Sequence, residues 1–89
     1  METITFNKFK TLTYHKKIKY IYTKTDENGK ILKTVEKETD KFYINKDNKY
    51  KIYSAKGFNF SIEGDFFKES DNVFIYSSPY GLTKFEVLN

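Results

Sequence analysis

The sequence predicts an all-β domain, a small antiparallel barrel or sandwich of short strands, on three observations. Apolar residues recur with period two, an Asn-Gly pair stands between two such runs, and the other runs are short, evenly spaced and separated by turn-forming residues. At 89 residues the chain is expected to form a single domain, 1–89, around one core. Phe (9) and Tyr (8) supply half of its apolar content, so a few large rings fill an interior that would otherwise need many aliphatic side chains.

The hairpin is the best-defined unit. Ile18, Tyr20 and Tyr22 share one face of an extended Lys16 to Thr25 segment, and Lys19, Ile21 and Thr23 share the other. Asp26-Glu27-Asn28-Gly29 follows, and β-branched residues return in Ile31, Thr34 and Val35, giving a hairpin from Tyr20 to Val35. Two registers are open. A two-residue turn on Asn28-Gly29 sets Tyr22 against Val35 but also Lys24 against Lys33, whereas a four-residue loop sets Lys19 against Glu36.

Further strands are expected at Thr3 to Phe6, Phe42 to Asn45, Lys49 to Ser54, Phe58 to Ile62, Val73 to Ser77 and Thr83 to Leu88. Between them stand Asn45-Lys46-Asp47-Asn48, Ala55-Lys56-Gly57, Glu63-Gly64-Asp65 and Ser78-Pro79-Tyr80-Gly81. One short helical turn is expected near residues 65–70, with Asp65 as its cap.

Composition narrows the chemistry. There is no cysteine, which removes disulfides and thiolate metal sites and fits a reducing cytoplasm. No apolar run is long enough for a signal peptide or a membrane span, so neither export nor a membrane partner is expected. All 16 basic residues are lysine, so the bidentate forks that read guanine edges are missing. This usage, with abundant Asn, Ile, Phe and Tyr, is that of an AT-rich genome.

Charge is uneven along the chain. Residues 1–56 carry 14 lysines against seven acids, a net +7, and residues 57–89 carry two lysines against five acids, a net −3. Between Thr3 and Thr25 there are six lysines and no acid. Lys8, Lys10, Tyr14, Lys16, Lys17, Lys19 and Tyr20 interleave charge with rings there and form the first candidate binding surface for an anionic partner.

No catalytic or metal set can be assembled. His15 is the only histidine and reads as a solvated loop residue, since a zinc site needs three or four N or S ligands. Glu63, Asp65, Glu69 and Asp71 do not follow calcium-loop spacing and read as a loop that keeps two apolar strands soluble, and Asp26-x-Asn28-Gly29 reads as a turn. The protein is therefore expected to be no enzyme and to need no cofactor.

Lys56-Gly57-Phe58-Asn59-Phe60, followed by Val73-Phe74-Ile75-Tyr76, resembles the paired ribonucleoprotein motifs of cold-shock domains, and Lys49 to Ser54 resembles that family's first strand. Ile52, Asn59 and Ser77 depart from the family's tryptophan, glycine and phenylalanine. The resemblance implies that Phe58, Phe60, Phe74 and Tyr76 lie on adjacent strands as a stacking platform for single-stranded bases, with Lys56 on a phosphate. As plain alternation, Phe58, Phe60, Ile62 and Phe74 would instead be the inward face of a sheet.

Two functions fit these residues. One is a small accessory or inhibitory protein of a phage or mobile element that binds a host enzyme handling nucleic acid, such as a defence nuclease. The other is a single-stranded nucleic-acid-binding β-barrel of cold-shock or OB type, which would use the basic N-terminal half.

Overall fold

Period two is realised in nine strands among the described residues: β1 (Glu2–Ile4), β2 (Ile18–Thr25), β3 (Ile31–Thr39), β4 (Asn45–Asp47), β5 (Ile52–Ala55), β6 (Phe58–Ser61), β7 (Asp65–Ser70), β8 (Val73–Ser78) and β9 (Gly81–Val87). One helix, α1 (Phe6–Thr13), lies between β1 and β2. The computed structural model describes residues 1–47, 52–55, 58–61, 64–79 and 81–88, and burial is described for 1–44, 64–79 and 81–88. Six strands form one sheet in the order β1-β7-β8-β9-β2-β3, and β4-β5-β6 form a second; every neighbouring pair is antiparallel. The larger sheet is open, with β1 and β3 as edges, so the all-β antiparallel architecture is built without barrel closure. No described helix is long and apolar enough to cross a membrane.

Register places the core. Ile4, Phe66, Tyr76, Thr83, Tyr22 and Val35 lie opposite one another in a row across all six strands. Phe74, Phe85 and Tyr20 form the next row, with Ile18 beyond, and all of these but Tyr22 and Val35 are buried. Residues two apart on a strand share a face, so all of them point to the same side.

Helix α1 covers that side. Its Phe9 is fully buried, with ring centroids 4.7 Å from Phe66, 5.0 Å from Phe85, 5.7 Å from Phe74 and 6.3 Å from Phe42. The Thr5 hydroxyl accepts the Lys8 N–H at 3.1 Å as N-cap, and the buried Thr13 hydroxyl donates back to the Phe9 carbonyl at 2.8 Å. Eight residues with two β-branched threonines do not hold a helix in water, so docking through Phe9 supplies the stability.

Three expectations are corrected, the first being the strand expected at Phe42 to Asn45, which begins only at Asn45 as β4, over residues expected to open a turn. Residues beyond Ile4, read as a strand reaching Phe6, turn helical at Phe6, and the Lys8 to Lys10 segment is helix. The helical turn expected at 65–70 is strand β7, because Phe66 faces Tyr76 in the core row and Asp71-Asn72 is a tight turn into β8. Accordingly Asp65 and Glu69 lie on a strand rather than a loop. Lys68 reaches Asp71 at 3.5 Å.

The hairpin takes the register with Tyr22 opposite Val35 and Lys24 opposite Lys33. Its connection runs from Asp26 to Lys30. The Asp26 carbonyl accepts the Gly29 N–H at 3.1 Å, and its carboxylate accepts the Asn28 and Lys30 N–H groups, each at 2.9 Å. Gly29 sits at φ +82°, the left-handed residue that closes a three-residue loop. Lys19 faces Glu38 in register yet reaches Glu36 diagonally, at 2.8 Å.

Candidate functional site

The first seven candidate residues separate in space. Ile18 and Tyr20 point into the core, so Tyr20 is buried, and desolvation raises its phenol pKa. It belongs to the core and offers no binding surface. Lys19 points to the opposite side of the sheet, where a hydrogen bond to Glu36, and then that carboxylate's charge, raises its pKa. Lys17 lies 3.6 Å from Glu38. These two lysines already face acids of β3 and are poorly placed to neutralise phosphates.

Tyr14, Lys16 and Lys10 remain together, and the fold adds three residues to them. At the C-terminus of α1 the Lys16 N–H donates to the Thr13 carbonyl at 3.1 Å, closing a turn with Tyr14 at φ −59°, ψ 122° and His15 at φ +56°. This is a type II turn, whose third position requires positive φ and normally takes glycine. An L-residue held there costs about 1–2 kcal/mol. Such strain persists only where the surroundings fix it, and it concentrates at functional positions.

The surroundings here are Asp40 to Tyr43. The His15 N–H donates to the Phe42 carbonyl at 2.6 Å, and the Phe42 N–H donates to the Lys16 carbonyl at 2.9 Å. Phe42 is buried against Phe9 and Phe85, so its neighbours Lys41 and Tyr43 turn outward. Tyr14 and His15 stack with centroids 3.9 Å apart and planes 16° from parallel, and Tyr43 meets His15 edge-on at 6.3 Å. Tyr14 remains 57% exposed and Tyr43 49%.

Beside this cluster the outer face of α1 forms an open groove lined by Asn7, Lys10, Thr11 and Tyr14, which recur at helical spacing. Lys10, Lys16 and Lys41 are exposed and make no ion pair among the described residues. Lys8 is exposed about 100° round the helix from Asn7, to the side of the groove. Asp40 is the one acid within 5–17 and 40–43.

The alternative stacking face is not assembled. Phe74 and Tyr76 are core residues, packed on Phe9 at 5.7 Å and Phe66 at 4.8 Å. Strand β6, which carries Phe58 and Phe60, pairs with β5 in the smaller sheet, whereas β8 pairs with β7 and β9. The two motifs therefore do not lie on adjacent strands. Lys56 and the side chains of Phe58 and Phe60 lie outside the described residues.

His15, Lys41 and Tyr43 were not among the candidates. Alternation through Lys41-Phe42-Tyr43-Ile44 separates the residues that face in from those that face out. Only the pairing of Phe42 with His15 and Lys16, 26 or more residues away in the chain, brings Tyr43 to His15. No group of three or more Asp, Glu or His side chains among the described residues is placed to hold a metal ion. No protein-family model, curated protein or solved structure matches the chain.

Proposed function

We propose that the protein is a non-catalytic binding protein whose contact surface is the Tyr14–His15–Tyr43 ring cluster with Lys10, Lys16 and Lys41. The observation that carries this reading is the exposed Tyr14–His15 stack on a strained turn. Rigid exposed tyrosines bring large contact area at little entropic cost, and they are enriched among residues that dominate binding energy. The partner that fits best is a protein presenting an acidic patch around an apolar pocket, because the cluster is compact and the lysines stand at its rim. With Lys17 and Lys19 engaged by Glu38 and Glu36, the basic run from Lys8 to Lys19 is interrupted as a track for a phosphate backbone. Small size, absence of cysteine and AT-rich residue usage support an accessory or inhibitory protein of a phage or mobile element, acting in the cytoplasm on a host enzyme that handles nucleic acid.

One observation favours a second reading, single-stranded nucleic acid: lysines beside stacked exposed rings are also what base stacking and phosphate contact require. A salt titration with single- and double-stranded oligonucleotides separates the two. Under the protein reading no oligonucleotide associates even at low salt. Partner capture by the wild type falls about 30-fold for Tyr14→Ala combined with Tyr43→Ala, as expected for about 2 kcal/mol at a binding hot spot. Oligonucleotide binding that weakens with salt and is lost in Lys10→Glu with Lys16→Glu would replace it with the second reading.

A further inference from the structure

A second surface, independent of the ring cluster, lies at the edge of the large sheet. Strand β3 spans Ile31–Thr39 and pairs only with β2, so its outer main-chain edge has no strand partner among the described residues. Period two divides its side chains. Thr34, Glu36 and Glu38 lie on the face away from α1, where Glu36 and Glu38 meet Lys19 and Lys17. Lys33, Val35, Lys37 and Thr39 lie on the other face, which carries two lysines and no acid along the strand, and the bulge at Leu32 sets Ile31 opposite Thr25, off this face.

Lys33 stands directly opposite Lys24, and neither makes an ion pair among the described residues. Like charges directly opposite one another destabilise a strand pair, so the hairpin keeps positive charge here at a cost. Ile31 and Leu32, 62% and 56% exposed, add apolar surface at the same end. Lysines on an edge ordinarily repel further strands of like charge, and the same lysines select a strand of opposite charge.

We infer that β3 accepts an extended acidic segment of another protein as a seventh, antiparallel strand. The matching sequence is acid-x-apolar-x-acid, its carboxylates opposite Lys33 and Lys37 and its apolar residue opposite Val35. Main-chain hydrogen bonds supply affinity and the alternate side chains supply selectivity, as in other strand additions. A second copy of this chain is a poor occupant. Full-length symmetric pairing about Val35 sets Lys33 against Lys37 of the other copy, a like-charge contact on both sides of the axis.

The test uses the whole protein and two synthetic peptides, Thr-Glu-Thr-Val-Thr-Glu-Thr and the same sequence with lysine for glutamate, followed by amide resonances and hydrogen exchange at low salt. The acidic peptide is expected to shift and protect β3 amides while the lysine peptide does not, and Lys33→Glu should weaken the acidic peptide roughly fivefold to tenfold. Lys33→Glu folds, because it turns the Lys24 contact into an opposite-charge pair, so loss of binding in it is not loss of structure. Equal binding of both peptides, no response at millimolar acidic peptide, shifts away from β3, or indifference to Lys33→Glu would overturn the inference. So would concentration-dependent dimers that protect β3 without peptide.

Discussion

Replacing Phe9 with alanine tests whether one ring holds the helix to the sheet. Phe9 is fully buried and its ring meets those of Phe42, Phe66, Phe74 and Phe85 at 4.7–6.3 Å. Truncating such a side chain costs about 3–5 kcal/mol through lost transfer energy and the cavity left behind. Ring pairs contribute about 0.5–1.5 kcal/mol beyond area, which puts this site toward the upper end of that range. Stability of roughly 0.05–0.15 kcal/mol per residue gives a chain of 89 residues about 4–13 kcal/mol in all. Phe9→Ala should thus remove a third or more of it. With a urea slope of about 1–3 kcal/mol per molar, the midpoint should fall by about 1.3 M or more, read by circular dichroism. Because the helix is not stable alone, its signal should be lost with the strand signal in one transition. The exposed Tyr14→Ala should stay within about 0.5 kcal/mol of wild type. A loss below about 1 kcal/mol for Phe9→Ala would refute the claim that this ring anchors the fold.

Four further predictions follow from particular residues. His15→Gly relieves the strained turn, so it should keep or raise the unfolding midpoint while weakening partner binding through loss of the Tyr14 stack; a fall in stability would show that the turn is not strained. Gly29→Val should cost about 1–2 kcal/mol or more, and since a Cβ there meets nothing within 4 Å the cost is conformational, so Gly29→Asn should recover part of it in the same urea titration. The buried Thr83 hydroxyl has no hydrogen-bond partner among the described residues, so Thr83→Val should be neutral or stabilising by about 1 kcal/mol, and a loss of that size would mean that the hydroxyl is satisfied in solution. Burial raises the Tyr20 pKa, so the native state keeps a proton that the unfolded chain gives up near pH 10; this stability is complete below about pH 10 and is lost as pH rises through the higher folded value. Urea midpoints taken through the alkaline range should fall less steeply in Tyr20→Phe, and parallel profiles would exclude the effect.

By itself the sequence determined the antiparallel all-β class, the β2–β3 hairpin with its Asn-Gly connection and the basic character of the first half. Each of these depends on neighbours along the chain: side-chain parity on a strand, the φ available to glycine, and simple charge. It also carried Tyr14, Lys10 and Lys16 into the candidate surface. What it could not carry depended on contacts across the chain. The hairpin register, open between two pairings, is fixed by the three-residue closure at Asp26 to Lys30, the bulge at Leu32 and the core row that includes Tyr22, which accept the Lys24–Lys33 repulsion. The helix was hidden because Phe6, Phe9 and Leu12 carry its period in a segment of weak propensity, and only the ring of Phe9 in the sheet makes it stable. Phe74 and Tyr76 read equally well as platform or core until α1 covered their face. Lys17 and Lys19 looked available until β3 brought Glu38 and Glu36 to them. His15 looked like an ordinary loop residue until Phe42, buried at the other end of the hairpin, held Lys41 and Tyr43 beside it. Local chemistry decides which way a side chain points, and only the tertiary pairing of distant segments decides what it meets there.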